Sequence, residues 1–401
     1  MNRRLWDLAP KASFLLQAGN LQTALQVYNL VAMLERIKKD PVLFISGILA
    51  IVSCFFVHPD EKYPGYIDFR VLAILFCMML VVSELVILGV FDKMTNKLLS
   101  KVHSSRMVSL ILVWLAFFMG MILTNDVTLV TLVPFAIALM KSFDDRKTLT
   151  FTLILMTVAT NLGSMQTPIG NPQNIYLFTH YQMEIGPFML MMLPYSLCSL
   201  ILVTVAVFIL CRDMKIDHEE PKEQKKISGV KLAICILLFI ASLLVVLRVV
   251  HFLIVLGIMI AVMLIMDLKA FKGVDYTLLI TFVFFFVFVG NMGRIPSVNE
   301  AVSNIVGKSP VLTAVVSSQV ISNVPAALLL SAFTDNGRAL VIGTNLGGLG
   351  TLIASMASLI TYKFHAALPK AKEKGVSYVG AFSVVNIIFL IILLGVHFIF
   401  K

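Results

Sequence analysis

Two short polar motifs interrupt segments of the chain that are otherwise apolar. They are Thr124-Asn125-Asp126 and Ser322-Asn323-Val324-Pro325. A longer polar stretch follows each one. The first is Asn161-Leu162-Gly163-Ser164-Met165-Gln166-Thr167-Pro168-Ile169-Gly170-Asn171-Pro172-Gln173-Asn174, and the second is Asn345-Leu346-Gly347-Gly348-Leu349-Gly350-Thr351-Leu352-Ile353. Asn amides and free backbone carbonyls are hard oxygen ligands suited to a small cation such as Na⁺. Ser, Thr, Asn and Asp also cap helix N-termini, whose backbone N–H groups attract anions. The chemistry on offer is reversible ion binding. The sequence carries no nucleotide-binding loop, no metal-ligand cluster and no Ser/His/Asp set, so it predicts no enzyme and no cofactor.

The elements that must position these residues are unusual. Both long stretches contain Asn-Leu-Gly-x-x-x-Thr-x-Ile. Helix-breaking residues at corresponding places in two apolar halves point to a site built on broken helices. The predicted spans are 41–57, 68–90, 148–181 (broken), 187–211, 231–248, 251–267, 275–292, 339–361 (broken) and 377–400. Segments 106–141 and 310–334 carry the tip motifs and read as re-entrant hairpins. Unsatisfied backbone groups in lipid cost several kcal/mol each, so such breaks must be buried in protein or line a cavity. Helices are expected to start near Val127, after a cap at Ser322 or Asn323 with Pro325 in the first turn, at Thr167-Pro168 and within Gly347–Thr351, bringing four N-termini to one point. The candidate substrate-binding set is Thr124, Asn125, Thr167, Pro168, Gly170, Asn171, Asn174, Ser322, Asn323, Gly347, Gly348 and Thr351. The candidate ion-coupling set is Asn125, Asp126, Asn161, Asn323, Asn345 and Glu84, with Na⁺ placed at Asn125, Asp126 and Asn323. Asp126 has no acidic counterpart, because Val324 occupies the matching place. Glu84 sits deep in the second span and matches Asn291 in the second half.

Composition fixes the setting. The chain is 59% hydrophobic and 13% charged, against roughly 25% charge in soluble domains. A polytopic all-α membrane protein is the expected fold class. Of the 32 Lys and Arg residues, all but Lys62, Arg70, Arg248, Arg294, Lys308, Arg338 and Lys401 fall on one side if both hairpins are re-entrant. That bias predicts a cytoplasmic N-terminus, an external C-terminus and a cell-membrane location. The net charge of +10 then signals topology rather than nucleic-acid binding. Two inverted-topology repeats follow. Residues 1–40 form an N-terminal extension, with an amphipathic helix over 21–39. Residues 41–211 form repeat 1, 212–230 a charged linker and 231–401 repeat 2. All five Cys residues lie in or beside apolar spans and read as small hydrophobes.

The segments Leu123–Asp126, Thr167–Asn174 and Ile321–Ala326 resemble the ion transporter superfamily. That group includes citrate and dicarboxylate permeases, divalent anion:sodium symporters, arsenite permeases and some sodium/proton antiporters. The resemblance covers roughly residues 41–400. It implies a scaffold part and a hairpin-plus-broken-helix transport part in each repeat, elevator-like alternation and a homodimer. The tips read Thr-Asn-Asp and Ser-Asn-Val where the dicarboxylate symporters typically carry Ser-Asn-Thr. These forms look more like the arsenite-permease and antiporter-like branches. The leading expectation is a secondary transporter of a small anion coupled to Na⁺ or H⁺. A Na⁺/H⁺ antiporter comes second, a metalloid efflux permease third and a non-transport scaffold last.

Overall fold

A computed structural model describes residues 41–91, 93, 102, 104–140, 145–214, 227–368 and 377–399. The expected N-terminal extension, most of the 92–105 stretch and the middle of the linker lie outside these residues. The described residues form helices without a strand. In chain order these are α1 (Pro41–Phe56), α2 (Phe69–Ile87), α3 (Ser105–Ile122), α4 (Asn125–Met140), α5 (Arg146–Ser164), α6 (Pro172–His180), α7 (Ile185–Leu210), α8 (Gly229–Val246), α9 (Phe252–Met266), α10 (Tyr276–Gly293), α11 (Pro296–Lys308), α12 (Pro310–Ile321), α13 (Asn323–Ser331), α14 (Gly337–Leu346), α15 (Met356–Ala366) and α16 (Tyr378–Ile399). Two 3₁₀ turns, Tyr63–Tyr66 and Leu268–Gly273, complete the set.

Among the described residues six helices are long and apolar enough to cross a membrane alone: α2, α3, α7, α8, α10 and α16. The all-α multi-pass class is therefore as expected. α3 is an arm of the expected hairpin, yet its 18 residues are enough to span by length. It turns back through Leu123 and Thr124 into α4, and the two arms pack together on α5. The helix starts are set by side-chain caps. Asp68, Ser104, Asp145, Asn171, Ser228, Asp275 and Asn336 each accept a backbone N–H from the first turn, which satisfies an otherwise orphan donor.

Packing sorts the helices into two groups. In one, α1 packs on α10, while α8 and α9 pack on α2. In the other, α3 and α4 pack on α5, α12 and α13 on α14, and α7 on α16. The groups meet chiefly where α2 touches α6 and α10 touches α13. There the Tyr176 ring lies 6.5 and 5.8 Å from those of Phe282 and Phe286. The aromatic run of α10 is thus partly packing surface between the groups.

α5 is deeply buried, with every residue from Thr148 to Ser164 inside the protein. A helix with so many hydroxyls survives there because Thr152, Thr157 and Thr160 return their O–H groups to carbonyls one turn back, at 2.8, 2.9 and 2.7 Å. This arrangement removes the cost of a buried, unpaired polar group.

Candidate functional site

Both hairpins and both helix breaks converge, and they do so by the same local rules. At the first tip, Asn125 donates its backbone N–H to Gly170 O at 3.1 Å. At the second, Asn323 donates its own to Ala354 O at 2.9 Å. Thr167 hydrogen-bonds to Met121 O, four residues before the first tip Asn. Thr351 hydrogen-bonds to Gln319 O at 3.3 Å, four residues before the second. Asn125 and Asn323 each fold their Oδ1 onto the following N–H, at 3.0 Å in both cases. The repeated sequence pattern is therefore a repeated hydrogen-bond pattern.

The glycine of each Asn-Leu-Gly lets a hairpin arm approach its broken helix. A Cβ at Gly163 would run into the backbone carbonyl of Phe117 on α3. A Cβ at Gly347 would lie 2.6 Å from Ser318 Oγ on α12. The returning arms cross over to the other half: α4 packs on α15, and α13 packs on α6.

Buried amides join the halves. Asn161 Oδ1 accepts from Asn125 Nδ2 and from Ser355 Oγ, both at 3.1 Å. Asn345 donates to Asn174 Oδ1 at 2.6 Å and to Val341 O at 2.7 Å, and it accepts from Asn171 Nδ2 at 2.9 Å. Asn171 also reaches Ser164 Oγ at 3.1 Å and caps α6 through Asn174 N at 2.9 Å. Asn174 Nδ2 holds Thr167 O at 3.0 Å. Asn125, Asn161, Asn171, Asn174, Asn323 and Asn345 are all buried, as are Thr124 and Ser322. The seam continues along α5 and α15, where the Thr157 and Thr361 hydroxyls lie 2.8 Å apart and Thr150 lies 3.1 Å from His365 Nε2.

Two expected helix starts move. The helix after the first break begins at Pro172, capped by Asn171, and not at Thr167-Pro168. Pro172 occupies the first helical position, where a missing N–H costs nothing. The helix after the second break begins at Met356 with Ser355 at its cap, and not within Gly347–Thr351. Pro168, Gly347 and Gly348 lie in the connecting turns and are buried, whereas Thr167 is half-buried and Thr351 exposed. The first hairpin's helix starts at Asn125, two residues before the expected Val127.

At tip 1, Asp126 Oδ1, Thr128 Oγ1 and Asn161 Nδ2 are buried without a hydrogen-bond partner. The Asp126 oxygen is a hard ligand of the kind a small cation takes. Among the described residues no group of three His, Cys, Asp or Glu side chains forms a metal site. At tip 2, Ser322 holds φ at +74°, a conformation that costs a side-chain-bearing residue about 1–3 kcal/mol and clusters at functional sites. Glu84 belongs elsewhere. It is fully buried, and its carboxylate lies 3.9 Å from Lys231 Nζ at the start of α8. Asn291, its expected counterpart, donates to Ser53 and Tyr63 hydroxyls at 2.9 Å each.

The citrate transporter family matches residues 30–336. The chain belongs to that family. An uncharacterized transporter of Methanocaldococcus jannaschii is 30% identical over 326 residues, covering 80% of this chain and 88% of that protein. The inner membrane protein YbiR of Escherichia coli is 27% identical over 340 residues, covering 82% and 89%. The silicon efflux transporter LSI3 of Oryza sativa is 28% identical over 156 residues, covering 39% and 32%. The membership agrees with the superfamily resemblance of the tip motifs, and this chain is a multi-pass membrane transporter.

Three contributors were not among the candidate residues. Gln319 donates to the carbonyls of Gly347 and Leu349 at 2.9 Å and accepts from Thr351 N at 2.9 Å, bracing the second break. Ser164 and Ser355 hold Asn171 and Asn161. The position of Ser164 inside Asn-Leu-Gly-Ser was the only available signal.

Proposed function

We propose that the chain is a secondary active transporter carrying a small anion, a carboxylate or an inorganic oxyanion, with Na⁺ or H⁺ as its coupling ion. The supporting observation is the shared seam of amides and helix ends. Asn125, Asn161 and Ser355 join one hairpin to the other half's helix break, and Asn345 joins Asn171 and Asn174. N-termini at Asn125, Asn171, Asn323 and Ser355 surround it. Each attracts an anion by about 0.3–1 kcal/mol at exposed sites and by more when buried. The candidate substrate ligands are Thr124, Asn125, Thr167, Gly170, Asn171, Asn174, Ser322, Asn323, Gly347, Gly348 and Thr351. Asn125, Asp126 and Asn323 are the candidate Na⁺ ligands.

The two packing groups suit an elevator cycle. Scaffold helices α1, α2, α8, α9 and α10 would stay fixed, in a homodimer, while the hairpins and broken helices move. The repeats would lie inverted in the cell membrane, with the N-terminus cytoplasmic and the C-terminus outside.

A second reading rests on Asp126, whose unpaired Oδ1 has Val324 as its repeat counterpart. A Na⁺/H⁺ antiporter needs only that carboxylate. A metalloid efflux permease is the third reading, because neutral hydroxylated species need only amides and hydroxyls. LSI3 is named for silicon efflux.

Proteoliposomes holding the purified chain separate the three. Labelled citrate or phosphate should enter only with an imposed Na⁺ or pH gradient. Collapse of a pH gradient on adding Na⁺, with no anion present, would replace the proposal with antiport. Movement of arsenite or silicic acid without anion uptake would replace it with efflux.

A further inference from the structure

A second polar feature lies away from the hairpin tips. A cavity of about 690 Å³ opens between α7, the α11–α12 junction, the start of α14 and the end of α16. Lys308, Arg338 and His397 line it, and no Asp or Glu does. His397 Nδ1 is hydrogen-bonded to Tyr195 Oη at 2.9 Å.

The charge distribution makes these cations unusual. Lys308 and Arg338 are two of the seven Lys and Arg residues on the side that the charge bias leaves poor in cations. Arg294, another of the seven, pairs with Asp60 at 2.7 Å. Arg248 donates to Thr179 O at 3.2 Å. Lys308 and Arg338 are exposed and form no ion pair among the described residues. Both instead border the same cavity. The first turn of α12 borders it too, and Ser309 gives that turn no side-chain cap. Its orphan N–H groups add to the positive potential.

Part of the remaining wall is apolar and outward-facing. Leu190 is 69% exposed and Phe398 60% exposed, as suits surface in contact with acyl chains. The cationic rim of the cavity lies at the far end of α12 from the second tip. Pro310 is one whole helix of 12 residues from Ser322, about 18 Å at ~1.5 Å per residue, while Ile342 in the cavity wall sits one turn before Asn345 on α14.

We infer that this cavity binds a phosphate group supplied by the headgroup of an anionic membrane lipid, whose chains run along Leu190 and Phe398. Lys308 and Arg338 hold the phosphate oxygens, Arg338 through its planar fork of donors. The lipid thereby ties together the outer ends of α7, α12, α14 and α16.

The full chain, purified in detergent, is titrated with phosphatidylglycerol or phosphatidylcholine, and bound lipid is counted by native mass spectrometry. The wild type should retain one phosphatidylglycerol that the Lys308→Gln/Arg338→Gln variant retains at least tenfold more weakly. Both substituted side chains are exposed, so the variant should fold, and unchanged thermal melting checks this. Arg338→Lys should recover part of the retention, and Lys62→Gln/Lys269→Gln should lose none. Equal retention by the wild type and the double variant overturns the proposal. A parallel titration with inorganic phosphate separates the sources. If the double substitution abolishes phosphate binding but leaves phosphatidylglycerol retention intact, the lipid assignment is wrong and the ligand is a soluble anion.

Discussion

Asn345, at the end of α14, gives an amide N–H to Asn174 Oδ1 at 2.6 Å, and this bond crosses from one half of the chain to the other. Its own Oδ1 accepts from Asn171. One side chain therefore holds both amides that shape the first helix break. Asn345→Ala leaves buried groups on Asn171 and Asn174 unpaired, at a cost of about 1–3 kcal/mol each. We expect Asn345→Ala to lower the melting temperature in detergent and to abolish uptake. Asn345→Asp keeps the acceptor for Asn171 but sets a buried carboxylate oxygen against Asn174 Oδ1 and Val341 O. It should therefore melt no higher than the alanine variant and should also fail to transport. Wild-type uptake by Asn345→Ala would remove the seam from the mechanism.

The two motif glycines differ in what they face. At Gly163 an added methyl meets the backbone of Phe117, which cannot move without moving α3. At Gly347 it meets the Ser318 side chain first. Overpacking typically costs about 1–3 kcal/mol. Gly163→Ala should therefore be the more damaging substitution, by melting temperature and by yield of folded protein. Ser318→Gly should partly restore Gly347→Ala, and nothing comparable should restore Gly163→Ala. The opposite ranking would mean that α3 yields more readily than α12.

Much of this site was legible before any coordinates. Asn-Leu-Gly-x-x-x-Thr recurs because each residue has one job in both halves: Asn bridges, Gly permits close approach and Thr ties the turn to a hairpin arm. Where the helices restart after the breaks was not legible. Thr167-Pro168 and Asn171-Pro172 are equally good starts by sequence, and the hydrogen bond from Asn174 N to Asn171 decides between them. Ser355 and Gln319 escaped notice because a lone Ser or Gln in an apolar segment carries no spacing signal. The approach of Lys231 to Glu84 was not legible either, since hydropathy marks a span but not the azimuth around it.

At the second tip, Ser322 carries a backbone angle that glycine adopts freely. Ser322→Gly should relieve that strain and raise the melting temperature, by about 1 kcal/mol of stability after the entropy of the added glycine is set against it. Ser322→Ala keeps the strain and should melt like the wild type. Both variants lose the hydroxyl, so both should lose uptake equally if that hydroxyl binds substrate. Retained uptake in both assigns Ser322 to geometry alone.

The Glu84–Lys231 pair offers a different contrast. Glu84 is fully buried, while Lys231 is partly exposed. Removing the lysine strands a buried carboxylate, which typically costs about 3–5 kcal/mol when a buried pair is broken. Lys231→Met should thus destabilise more than Glu84→Gln, and the double variant should recover most of the loss. If Glu84 is only structural, Glu84→Gln keeps its Na⁺ and H⁺ dependence of uptake. A shifted ion dependence would return Glu84 to the coupling machinery.

Asp126 is where the two halves part company. Its counterpart is Val324, and its Oδ1 is buried with no hydrogen-bond partner. A buried carboxylate is stable only if it is protonated or paired with a cation. Both outcomes couple its state to Na⁺ or H⁺. Asp126→Asn has the same shape and no charge, and its amide can occupy the first turn of α4 without a clash. It should fold and melt like the wild type, because a neutral group no longer needs a partner ion. Uptake should lose its dependence on the Na⁺ or pH gradient and fall at least tenfold when driven by one. Val324→Asp, tested beside it, places a second carboxylate at the other tip and should not restore coupling to Asp126→Asn, since Thr128 and Asn161 supply unpaired polar atoms only at the first tip. Full gradient-driven uptake by Asp126→Asn would reduce Asp126 to a helix cap and leave the coupling ion to the amides of Asn125 and Asn323.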